Sequence, residues 1–102
     1  MSDVHERIHR LGLLDPTDPE VLQRRTLAPR LAEIRGKVGG FLDNRKHNAS
    51  ALLQHMATRL SAEYGMAEAM YQAKFIYSRV AAPPIVEEMA ERCDFVVTAI
   101  GD

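Results

Sequence analysis

Downstream of Gly36 the chain alternates three short strand-like segments with two connections of helix length, a pattern that leaves few folds open. Lys37-Val38-Gly39-Gly40-Phe41-Leu42 is a strand candidate entered through a glycine. Its paired glycines weaken strand propensity but permit close approach of backbone or helix. From Ala49 to Tyr64, Leu52, Leu53, Met56, Leu60 and Tyr64 recur at helical spacing. Asn48 is a good N-cap for that helix, and Gly65 is placed to end it in the left-handed conformation. The span 67–76 carries both strand and helix signals, and a strand is assigned over about residues 67–73. Residues 78–82 read as loop. Pro83-Pro84 then opens a helix through Glu91 with Ile85, Val86 and Met89 inward, and the last strand is Asp94 to Ala99. The order is β-α-β-α-β, and right-handed crossovers make the strands parallel.

The fold class expected is therefore α/β, an incomplete doubly wound parallel sheet preceded by short N-terminal helices. Residues 1–35 form a helical extension and connector, and 36–102 form half an α/β domain. Parallel sheets need both faces covered. Two helices do not suffice, so a partner chain is expected to complete the domain. Within the extension, Val4, Ile8, Leu11 and Leu13 suit an amphipathic helix over 3–14, closed by Gly12 or by the turn Asp15-Pro16-Thr17-Asp18-Pro19. A second short helix is expected from Pro19 into Arg25, capped by Asp18. Pro29 keeps Ala28 extended in the connector 27–30.

Composition narrows the function classes. Thirteen basic against fourteen acidic residues give a net charge of −1, which points to neither nucleic acid nor an anionic membrane. No apolar run reaches membrane-spanning length, and the N-terminus lacks the pattern of a signal peptide. A single cysteine, Cys93, excludes an intrachain disulfide and fits a reducing cytoplasm. The expectation is a cytoplasmic protein.

His5-Glu6-Arg7-Ile8-His9 matches the zinc-binding pattern H-E-x-x-H. A zinc protease embeds that helix within a domain, whereas here it lies near a terminus, so a solvated or docking helix is the stronger reading. The loop Asp43-Asn44-Arg45-Lys46-His47-Asn48 stands between the first strand and the following helix, where a βαβ unit holds a phosphate or carboxylate. Lys46 and His47 add positive charge. With Gly39-Gly40 inside the strand rather than after it, a dinucleotide is not indicated. Lys74, Ser78 and Arg79 fall beyond the second strand on the same edge. His55 reads as a boundary residue, and Tyr64, Met66, Met70 and Tyr71 as core or interface. Cys93, before the last strand, lies at the opposite end and reads as a buried, inert thiol. There is no Ser-His-Asp ordering, metal cluster or P-loop, and the cofactor is left open.

The landmarks Leu27-Ala28-Pro29-Arg30, Gly36-Lys37-Val38-Gly39-Gly40-Phe41-Leu42-Asp43-Asn44-x-Lys46-x-Asn48-Ala49 and Cys93-Asp94-Phe95-Val96-Val97-Thr98-Ala99-Ile100-Gly101-Asp102 carry a family likeness. Over most of residues 14–102 the chain resembles the amino-terminal half of the UGSC family. That family is named for its (Sec/Cys)-Gly-Ser-Cys motif, and its members are redox selenoprotein-like enzymes distantly similar to the B component of glycine reductase. In the family the motif follows the Gly-Asp immediately, and these residues do not include it. The resemblance implies that Asp43, Asn44, Lys46 and Asn48 form a substrate-side loop, with Gly101 and Asp102 leading to the motif.

The resulting expectation is the small subunit of a heteromeric α/β enzyme, acting on a small-molecule substrate, with the reactive cysteine motif on a companion subunit. The alternative is a stand-alone anion-binding or regulatory module.

Overall fold

The computed structural model describes residues 3–18, 20 and 26–101. They fall in two compact units, Met1–Arg30 and Leu31–Asp102.

In the first unit, α1 spans Val4–Arg10, shorter than the helix expected over 3–14. Asp3 caps it, its Oδ1 accepting from the His5 N–H at 3.0 Å. Gly12, with φ of 70°, supplies the stop. The N–H groups of Gly12 and Leu13 donate to the carbonyls of His9 and Ile8 at 3.1 and 3.0 Å, so the chain reverses before the proline-rich turn can act. The helix expected over 19–25 lies outside the described residues. Residues 26–30 form no helix or strand.

The second unit is a parallel sheet with a helix on each face. Its strands are β1 (Val38–Asp43), β2 (Glu68–Ala73) and β3 (Phe95–Ala99), joined by α2 (Ala49–Tyr64) and α3 (Pro83–Arg92). Their spatial order is β2-β1-β3, with Phe41 of β1 in register with Tyr71 and Val97. Successive strand residues point to opposite faces. Phe41 therefore packs under α2 with Leu53, Ala57, Met66 and Ala99, and Ile34, Phe95 and Val97 close the edges of that cluster.

The paired glycines set how closely both layers approach the central strand. A Cβ on Gly39 would lie 2.6 Å from Phe95 Cζ and 2.7 Å from Met66 Sδ. On Gly40 it would lie 2.7 Å from Met89 Cε and 2.8 Å from Cys93 Sγ. Hydrophobic contact has replaced strand propensity here, as close layer packing requires. Gly65, with φ of 72°, ends α2, and the Gly36 N–H donates to its carbonyl at 2.9 Å.

Several side chains depart from expectation. Val86, expected inward, is 52% exposed, and Leu52 and Tyr64 of the α2 repeat are 43% and 55% exposed. Periodicity identifies the apolar face of a helix, yet among the described residues the sheet beneath has three strands and covers part of that face. Asp43 closes β1 instead of opening the loop, and His55 is exposed on α2 rather than at a boundary. Met66 and Met70 are core, whereas Tyr71 remains half exposed. Asn48 occupies the cap position of α2 with φ of 67° and makes no side-chain cap bond. Its tolerance of the left-handed region, rather than its capping oxygen, suits it to the site. Among the described residues no helix is long and apolar enough to cross a membrane.

Candidate functional site

In this strand order the chain leaves β1 through α2 on one face and enters β3 from α3 on the other. The crevice between the carboxyl ends of β1 and β3 is the position where open α/β sheets hold ligands. Two segments far apart in sequence are joined there. The Asn44 N–H donates to the Ala99 carbonyl at 3.0 Å, and Asn44 Nδ2 donates to the Ile100 carbonyl at 2.7 Å. The other end of the same amide accepts from the Lys46 N–H at 3.2 Å. With donor and acceptor both used, the amide has one orientation. Asp43 completes the turn, its Oδ1 accepting from the Arg45 N–H at 2.7 Å. Its carbonyl accepts from the Lys74 N–H at 2.9 Å, tying β1 to the exit of β2. Arg45 is held at φ of 70°.

Two depressions flank this loop. One is an open groove lined by Arg45, Lys46, His47, Tyr77 and Ile100. The other lies between α2 and the ends of β1 and β2, lined by Phe41, Asp43, Ser50, Leu53, Gln54, Tyr71, Gln72 and Ala73. The structure thus brings Asp43, Asn44 and Lys46 together with the residues leading into Gly101. Asn48 stands at the start of α2 and lines neither depression, and Asp102 lies outside the described residues. Of the other basic residues on this edge, Lys74 directs its Nζ to the Tyr77 carbonyl at 3.2 Å.

Arg45, Tyr77 and Ile100 were not singled out from sequence as site residues. Arg45 sits inside the loop that was, and Tyr77 follows a strand on the same edge, so position was the available signal. Ile100 enters only through the long-range bond from Asn44.

Cys93 is at the opposite edge, where the Asp94 N–H donates to the Val38 carbonyl at 2.8 Å. It is half-buried, with Sγ 3.7 Å from Met70 Sδ. Burial pushes its thiol above the ordinary value, against the smaller opposing pull of Arg92. A thiol protonated in this way is a poor nucleophile. In α1, His5 Nδ1 lies 2.7 Å from Asp15 Oδ2, so the first histidine of the H-E-x-x-H pattern is engaged by a carboxylate. Among the described residues no three His, Cys, Asp or Glu side chains are grouped to hold a metal.

Searches of curated proteins and of solved structures find no match. The UGSC family model matches residues 12–102, a span that takes in every strand of the sheet and the whole Asp43–Asn48 loop. The chain therefore belongs to the UGSC family.

Proposed function

We propose that this chain is the small subunit of a heteromeric, thiol-dependent UGSC enzyme and forms the substrate-side wall of its site, while a companion subunit supplies the (Sec/Cys)-Gly-Ser-Cys motif. The observation that carries the reading is the pair of bonds from Asn44 to Ala99 and Ile100. They fix the polar loop beside the exit of β3, which in this reading leads toward the family motif. Cys93 is not the reactive group in this reading. It lies at the far edge of the sheet with its thiol held protonated, so it does not stand in for the motif. β2 and β3 are both open edge strands, and Val86 and Val96 leave apolar surface exposed. A companion that extends the sheet would cover such surfaces.

Sedimentation of the chain alone and mixed with a polypeptide carrying the motif tests this. The expected result is a stable mixed complex. A well-folded monomer that associates with neither itself nor the motif-bearing chain contradicts it. That outcome would favour the second reading, a stand-alone anion-binding module, which draws on the basic groove alone.

A further inference from the structure

We infer that the groove beside Asn44 binds the anionic group of a small organic acid, with the organic part of the ligand lying against Tyr77 and Ile100. The inference rests on the reading of this edge as the substrate side and names the class of substrate. Among the described residues the groove is lined by Arg45, Lys46, His47, Tyr77 and Ile100, with no carboxylate.

Charge is distributed unevenly over the sheet. Among the described residues, the loops at the carboxyl edge carry Arg45, Lys74 and Arg79 against Asp43, in a chain of net charge −1. Asp43 is itself occupied by the Arg45 N–H. At the opposite edge the charges answer one another. Arg92 lies 3.2 Å from Glu88 and 4.0 Å from Glu68, and Asp94 accepts from the Val38 N–H. The positive field is thus concentrated where ligands bind in this class of sheet.

Arg45 is the residue best suited to read the anion. Its guanidinium offers a planar fork that matches a carboxylate or phosphate, and the loop holds its backbone in place through Asp43. The ring of Tyr77 and the side chain of Ile100 give the groove apolar walls that an inorganic anion would leave unused.

The test is calorimetric titration of the full chain at low salt with phenylacetate, phenyl phosphate, inorganic phosphate and the neutral phenylacetamide. Phenylacetate or phenyl phosphate should bind and the amide should not, and the stronger of the two decides between carboxylate and phosphate. Inorganic phosphate should bind more weakly than phenyl phosphate. Arg45→Gln should weaken binding about tenfold, the loss expected for one charge-assisted contact, while Arg45→Lys, which keeps the charge but loses the planar fork, should fall between Arg45→Gln and the native chain. Equal binding of the amide, unchanged binding by Arg45→Gln, or no binding of either organic anion overturns the inference. Binding is read on the chain alone, so its failure is distinct from failure to associate with a motif-bearing companion.

Discussion

Asn44 and Ile100 are 56 positions apart, yet the Asn44 amide reaches the Ile100 carbonyl at 2.7 Å and fastens the exit of the central strand to that of its neighbour. A half-buried carbonyl with one strong donor makes this contact costly to lose, and the same amide also holds the Lys46 N–H. The loop and the β3 exit therefore behave as one piece.

Asn44→Ala should destabilise the chain by about 1–3 kcal/mol, the cost of leaving a partly buried group unsatisfied. Asn44→Asp should be worse at neutral pH, because a carboxylate would face the Ile100 carbonyl. Protonation restores a donor, so the folded state favours the neutral acid and its pKa should rise above the unfolded value. Stability of Asn44→Asp relative to Asn44→Ala should then increase as pH falls toward about 4. Urea unfolding of both variants at two pH values checks this. A pH-independent difference would show that the amide is not engaged with Ile100.

Gly40→Ala should cost about 1–3 kcal/mol through overpacking, since the new methyl would lie 2.7 Å from Met89 Cε and 2.8 Å from Cys93 Sγ. Adding Cys93→Ala to relieve one of those clashes should recover part of the loss. A double-mutant cycle on thermal unfolding measures the coupling. Strict additivity would mean that α3 does not sit against Gly40 as described.

The N-terminal unit should show a pH window set by His5 and Asp15. The His5 pKa is raised from 6.5, first by its bond to Asp15 and then by that carboxylate's charge. Asp15 is lowered from 3.8 to about 2, chiefly by Thr17 and then by His5. The histidine contribution is complete below its unfolded pKa and is lost as pH rises through the raised value. The aspartate contribution is present above 3.8 and is lost as pH falls toward about 2. The contact should therefore be firmest between about pH 4 and 6.5. NMR titration should find His5 titrating above its ordinary value, and Asp15→Asn should bring it down, leaving only the smaller upward pull of Asp3. An unchanged His5 titration in that variant would contradict the contact.

Much of the domain is legible in sequence because its signals are local. Asn48 and Gly65 bracket α2, and the helical repeat between them gives Ala49–Tyr64 residue for residue. Gly36 and the run that follows it mark the first strand, and the parallel rule places Asp43–Asn48 and the β3 exit on one edge. What is not legible depends on distant partners. The repeat in α2 and α3 cannot say that Leu52, Tyr64 and Val86 stay exposed, because that depends on the width of the sheet beneath. The bond that joins Asn44 to Ile100 is a property of strand register, and no spacing in the loop announces it. Asn48 has the right identity for a cap, but its left-handed backbone keeps the side chain from capping.

Disulfide trapping reports which edge of the sheet meets the motif. In a Cys93→Ser background, His47→Cys places a thiol on the loop and Lys37→Cys places one at the opposite edge. Each variant is oxidised mildly in the presence of the polypeptide that carries (Sec/Cys)-Gly-Ser-Cys. A mixed disulfide should form between the His47→Cys chain and the motif, with little from Lys37→Cys. Trapping that is equal or stronger at Lys37→Cys, or absent at His47→Cys, would contradict the placement of the reactive group beside the Asn44 loop.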